Sequence, residues 1–138
     1  MNLMFDTNVL LDVFRGRHPF ADHSGAALHT VVSGEHRGMV PAHGLTTVYY
    51  LLRKHSGHSV AIDTVDWVLR RFAIAPATSE IFLRARGLQM RDFEDAVVAA
   101  MANAANCDYI ITRNIGDFVG CGTAAVAPEE FLRRTRPQ

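Results

Sequence analysis

Four aspartates stand where acids can do more than solvate a surface. Asp6 follows the apolar run Leu3-Met4-Phe5, and Asp92 and Asp95 open the stretch Asp92-Phe93-Glu94-Asp95-Ala96. Asp117 lies in Thr112-Arg113-Asn114-Ile115-Gly116-Asp117-Phe118, just after a second apolar run, Tyr109-Ile110-Ile111. Carboxylates held near one another repel and resist ionising together unless a cation sits among them. Hard oxygen ligands on a partly open rim suit Mg²⁺ or Mn²⁺, which keep waters and bind through few carboxylates plus substrate phosphates. Each acid also has an ordinary structural reading. Asp6 and Asp92 are good helix N-caps, Asp95 suits the first turn of a helix, and Asp117 reads as a loop acid. Asp92 and Asp95, three residues apart, share a helix face, and Glu94 is expected to point elsewhere.

These acids need elements that bring them to one place. Short apolar runs alternate with longer helical patterns along the chain. Strands are expected at Leu3–Phe5, Met39–Val40, Phe72–Ala75, Tyr109–Thr112 and, weakly, Ala124–Ala127. Helices are expected from Val9, over Pro19–Ser33, His43–His55 and Val60–Arg71, from Thr78 or Ser79 to Leu88, from Asp92 to about Asn106, and from Pro128. Strands alternating with helices predict an α/β fold, a parallel sheet covered on both faces. In such a sheet the carboxyl ends of the strands meet on one edge, the usual place for chemistry. Asp6 and the Thr112–Asp117 stretch fall on that edge.

Composition excludes several classes. The 138 residues predict a single domain, and 49% hydrophobic with 20% charged residues is an ordinary globular balance. Cys107 and Cys121 lack metal-ligand spacing, which fits a reducing cytoplasm. The first apolar stretch is interrupted by Asp6, Asn8 and Asp12, so neither a signal peptide nor a membrane span is expected there. With net charge zero, any phosphate-binding surface must be local. No histidine forms HExxH, and His55-Ser56-Gly57-His58 spans a helix break, so most of the histidines read as surface residues.

The ordered set Asp6-Thr7-Asn8, Tyr49-Tyr50-Leu51-Leu52-Arg53-Lys54, Asp92-Phe93-Glu94-Asp95-Ala96 and Thr112-Arg113-Asn114-Ile115-Gly116-Asp117-Phe118 resembles the PIN domain, most closely the VapC-type ribonucleases of toxin–antitoxin pairs. The resemblance spans nearly the whole chain. It implies a PIN-like three-layer α/β/α sandwich whose central parallel sheet has four to five strands, in the order 3-2-1-4-5. It also implies a cytoplasmic, Mg²⁺- or Mn²⁺-dependent endoribonuclease, forming a homodimer and partnered by RNA and a small antitoxin protein. Asp6, Asp95 and Asp117 map onto the family's metal-binding and catalytic acids, with Asp92 as an auxiliary. Asn8 resembles the polar residue that helps hold the first aspartate. Asn8, Thr112, Arg113, Asn114 and Arg91 are the candidate substrate-binding residues. Arg91 and Arg113 have the planar fork for phosphate, and either could instead pair with a neighbouring acid.

The sequence departs from that pattern twice. Family members carry an acid in the helix after strand two, where this chain reads Leu45-Thr46-Thr47-Val48-Tyr49-Tyr50 and Thr47 is the best match. Asn114 stands where many relatives have aspartate. Both changes reduce the negative charge available to a metal, so a degenerate PIN domain that binds RNA or protein without cutting is the alternative. A haloacid-dehalogenase-type phosphatase is disfavoured, since the position two residues after Asp6 is Asn8 and Lys54 is the only lysine.

Overall fold

The structure is a computed structural model that describes residues 1–137. β1 (Asn2–Phe5) leads into α1 (Thr7–Phe14) and α2 (Ala21–Val32). β2 (Arg37–Pro41) is followed by α3 (Ala42–Ser56) and α4 (His58–Arg71), and β3 (Ala73–Ala75) by α5 (Ser79–Gly87) and α6 (Phe93–Ala104). β4 (Tyr109–Ile111) precedes a 3-10 turn (Ile115–Phe118), and β5 (Ala124–Val126) precedes α7 (Pro128–Thr135). The expected elements are present, with ends that shift where backbone pairing rather than side-chain polarity decides. β2 begins at Arg37 because Arg37 pairs with Asn2, and α1 begins at Thr7 because Asp6 caps it. The 3-10 turn has no apolar period to announce it.

All five strands run parallel, in the order β3-β2-β1-β4-β5. The strands alternate across the sheet. Leu3, Phe5 and Ile111 pack with α1, α2, α3, α4 and α7 on one face, and Met4 and Ile110 pack with α5 and α6 on the other. The result is the three-layer α/β/α sandwich that the resemblance implies. Residues Ala96 to Ala102 of α6 are all buried, and the alanines keep that helix thin enough to be enclosed. A larger side chain such as Leu at Ala99, which has no exposure, would overpack this layer at a cost of about 1–3 kcal/mol.

Two glycines permit close approaches. A Cβ on Gly38 in β2 would stand 2.6 Å from the Phe72 ring and 2.8 Å from Val31, so this strand position is kept bare for the packing of Phe72. A Cβ on Gly44 would stand 2.7 Å from the Thr7 hydroxyl oxygen. Glycine there lets the first turn of α3 lie flush against the first turn of α1, beside the tip of β1.

Chain connections from β1 run to β2 and β3 on one side, then return past β1 to β4 on the other. The crevice between the tips of β1 and β4 is therefore the topological switch point, where open α/β sheets bind ligands.

Candidate metal and active site

Asp6 is the first residue past β1, and only 7% of it is exposed. Both carboxylate oxygens are held. The backbone N–H of Thr7 donates to Oδ1 at 2.8 Å, and the Thr112 hydroxyl donates to Oδ2 at 2.8 Å. Burial pushes its carboxyl above the usual range, against the lowering effect of those two hydrogen bonds. Asp6 is thus an N-cap and a site residue at once.

Asp92 and Asp95 show the same double use. The Asp92 carboxylate caps α6 by accepting the Asp95 N–H at 2.9 Å. The Asp95 carboxyl is pushed up to about 6, first by burial and then by the charges of Asp92, Asp6, Asp117 and Glu94. Four acids from the tip of β1, from the start of α6 and from the 3-10 turn therefore act on Asp95. Phe118, fully buried, anchors that turn, and it leaves Asp117 exposed at the edge.

The remaining predicted residues divide. Thr112 has no exposure. Besides donating to Asp6, its hydroxyl accepts the Asn114 N–H at 3.0 Å, so it positions rather than contacts substrate. Arg113 does not reach across to the acidic edge. It donates twice to Asp12, through Nε at 2.7 Å and through Nη2 at 3.0 Å, and its guanidinium lies 4.0 Å over the Phe20 ring. Asp12 is fully buried and also accepts from the Ser24 hydroxyl at 3.2 Å. A charge buried in α1 needs a partner; Arg113 is the hydrogen-bonded one, and Arg17 Nη1 stands 3.9 Å away. Asn8 is half-buried and makes no side-chain hydrogen bond to Asp6, whose two oxygens are taken by Thr7 and Thr112. Asn114 and Arg91 are exposed beside the acids.

Thr47 is half-buried, and its hydroxyl donates to the His43 carbonyl at 2.9 Å, one turn back in α3. That back-bond occupies the hydrogen that could have reached the site.

Sequence reasoning passed over two residues at this edge. Glu94, expected to point elsewhere, has its Oε1 3.7 Å from His43 Nε2, and its charge acts on both Asp6 and Asp95. At the open N-terminal turn of α6 a long side chain reaches the site whichever face its Cα occupies. His43, not singled out among the histidines, stands two positions beyond β2 with its charge felt by Asp6. Applying the strand-tip rule to β2 as well as to β1 and β4 would have singled it out. Cys107 lies away from this edge, and burial pushes its thiol up to about 11, which suits packing rather than nucleophilic chemistry.

The donor set fits a hard divalent ion. Mutually repelling carboxylates, of which Asp6 is buried and held by two hydrogen bonds, become favourable once a dication neutralises them. Among the described residues no three acid, histidine or cysteine side chains stand close enough together to hold an ion by themselves. Such an open rim matches cations that keep waters and take substrate oxygens. A cavity of about 560 Å³ lies elsewhere, lined by Phe20, His23, Arg113 and Pro128 and by none of the acids above. No described helix is long and apolar enough to cross a membrane.

The family model for the PIN domain matches residues 2–116. Among solved structures, the chain is similar to VapBC2 from Rickettsia felis bound to a promoter DNA fragment, at 18% identity and a TM-score of 0.72, covering 92% of this chain and 98% of that one. It is similar to a toxin–antitoxin complex from Klebsiella pneumoniae at 25% identity and a TM-score of 0.71, covering 91% and 97%. It is also similar to Mycobacterium tuberculosis VapC20, a sarcin–ricin-loop-cleaving toxin, at 17% identity and a TM-score of 0.70, covering 90% and 98%. No curated protein matches the sequence.

Proposed function

Because the chain belongs to the PIN domain family, we propose that it is a metal-dependent endoribonuclease that hydrolyses single-stranded or structured RNA. One observation carries the reading: Asp95 is held up to about 6 by burial and by four other acids, among them Asp6 and Asp117. Asp6, Asp95 and Asp117 would hold Mg²⁺ or Mn²⁺, with Asp92 as auxiliary. The bound cation would supply charge neutralisation at the phosphate and water acidic enough to attack it.

The chain's own residues set the geometry for that chemistry. Thr112 and the Thr7 N–H orient the Asp6 carboxylate, so its lone pairs need not reorganise when a ligand arrives. Arg91, Asn8 and Asn114 line the approach for the RNA backbone, and Arg91 is the residue suited to grip a phosphate. Arg113 serves substrate only indirectly, by tying the Thr112–Asn114 segment to α1 through Asp12.

The toxin–antitoxin complexes among the structural neighbours support a role as the toxin of such a pair, acting in the cytoplasm with a small antitoxin as partner. Val60, Leu69 and Tyr50, exposed on α3 and α4, support self-association into a homodimer.

Thr47 favours a second reading. With no carboxylate there and its hydroxyl bonded to the His43 carbonyl, a PIN domain that binds RNA without cutting also fits. Cleavage of RNA by the wild type, Asp6→Asn and Asp95→Asn, with Mg²⁺, with Mn²⁺ and with chelator, separates the two. Metal-dependent cutting by the wild type alone is expected. Three equally inert proteins across all metals that still retain RNA would replace the nuclease with the binding module.

A further inference from the structure

We infer that His43 is a metal ligand of the acidic edge, its Nε2 supplying the donor that the chain lacks at Thr47. The inference rests on the metal-site reading above and makes a separate claim about which atoms hold the ion.

His43 is placed by the close approach of α3 to α1. Gly44 offers no side chain toward the Thr7 hydroxyl, so the residue before it is drawn to the tip of β1, where its charge acts on Asp6. Its Nε2 is shielded from solvent and has no hydrogen-bond partner. Buried polar nitrogens are almost always satisfied, so one left open beside a carboxylate calls for a ligand. Glu94 Oε1, at 3.7 Å, is too distant for a hydrogen bond. Two donors on one dication, each with a bond of about 2.1 Å, stand from about 3.0 Å apart at right angles to about 4.2 Å apart when opposite. The Nε2–Oε1 separation falls inside that interval. The Glu94 side chain is 68% exposed, so an ion can reach the pair from solvent.

Histidine at this position changes the character of the site as well as completing it. Carboxylate and water oxygens suit Mg²⁺ and Mn²⁺ alike, whereas imidazole favours the transition metals. With His43 added to the acids of this edge as a donor, the site should prefer Mn²⁺ to Mg²⁺, and the preference should depend on His43.

The test uses the full chain with Mn²⁺ as the probe. Pulsed electron paramagnetic resonance on Mn²⁺-loaded protein carrying ¹⁵N-labelled histidine reads directly whether an imidazole nitrogen is bound. Calorimetry then gives Mn²⁺ and Mg²⁺ affinities for the wild type, His43→Ala and His43→Asn. The wild type should show nitrogen coupling. Both variants should lose it, bind Mn²⁺ about 10-fold or more weakly, and show a reduced Mn²⁺-over-Mg²⁺ preference. Mn²⁺ held by the wild type without nitrogen coupling, or coupling that persists in His43→Ala, overturns the assignment and leaves the carboxylate site intact. A wild type that holds no Mn²⁺ overturns the metal site itself, and this assignment with it. If both variants melt early, the wild-type spectrum still decides, because among the described residues His43 is the histidine that stands against an acid of this edge.

Discussion

The Thr112 hydroxyl donates to Asp6 Oδ2 at 2.8 Å and joins the tips of β4 and β1 across 106 positions of sequence. Neither residue is accessible enough to have been fixed by solvent, so the bond sets how the Asp6 carboxylate faces the site. Thr112→Val keeps the shape and removes the donor. We expect a loss of about 1–3 kcal/mol from the unsatisfied carboxylate oxygen and a metal affinity lower by about 10- to 100-fold. Thr112→Ser should restore both. Urea unfolding and Mn²⁺ calorimetry on the three proteins check this; a valine variant that binds metal like the wild type refutes the positioning role.

Asp12 and Arg113 should behave as a buried pair rather than as substrate contacts. The Arg113 side chain is 25% exposed, and Arg17 also stands 3.9 Å from Asp12. Asp12→Asn and Arg113→Met should therefore each cost about 1–3 kcal/mol, less than breaking a fully buried pair. The double variant should cost less than the sum, because it removes both charges together. A double-mutant cycle in denaturant measures the coupling. Additive losses would mean that the two side chains do not depend on each other.

Asp95 makes both stability and metal binding depend on pH. Its carboxyl sits at about 6 in the fold against an ordinary 3.8, so between those values the folded protein retains a proton that the unfolded chain has released. Stability of the metal-free protein therefore falls as pH rises from about 4 through 6. Asp6, raised by burial, contributes with the same sign. Asp95→Asn should flatten the fall, and in chelator it should melt no lower than wild type at pH 7.5. Metal competes with that proton, so Mn²⁺ affinity should drop about tenfold per pH unit below 6. Thermal melts and calorimetry at pH 5, 6 and 7.5 test both effects. Parallel melting curves for the two proteins would count against the Asp95 assignment.

Thr47 lies one turn beyond His43 on α3, on the same face. Thr47→Glu should place a carboxylate beside the site, raise Mn²⁺ affinity and partly restore binding in a His43→Ala background. It also gives up the back-bond to the His43 carbonyl, so melting temperature is followed in parallel. A well-folded Thr47→Glu protein with unchanged metal affinity would place this position outside the site.

Much of this protein is determined locally and is legible in the chain. The apolar run Leu3-Met4-Phe5 makes a strand whatever surrounds it, Asp92 and Thr78 cap helices through their own following N–H groups, and Gly57, at φ +92°, ends α3 where few other residues could. Strand order was implied by resemblance rather than by period, since parallel pairing leaves no mark on either strand alone. What tertiary structure decided is which side chains meet. Arg113 could have faced phosphate or acid, and only the burial of Asp12 in α1 settled the choice. His43 and Glu94 come from helices joined through other elements, and they meet because Gly44 lets α3 press against Thr7. Caps, turns and periods act within a few residues and so can be read from sequence. The partner of a charge, or the neighbour of an imidazole, depends on how layers pack and cannot be read from either segment by itself.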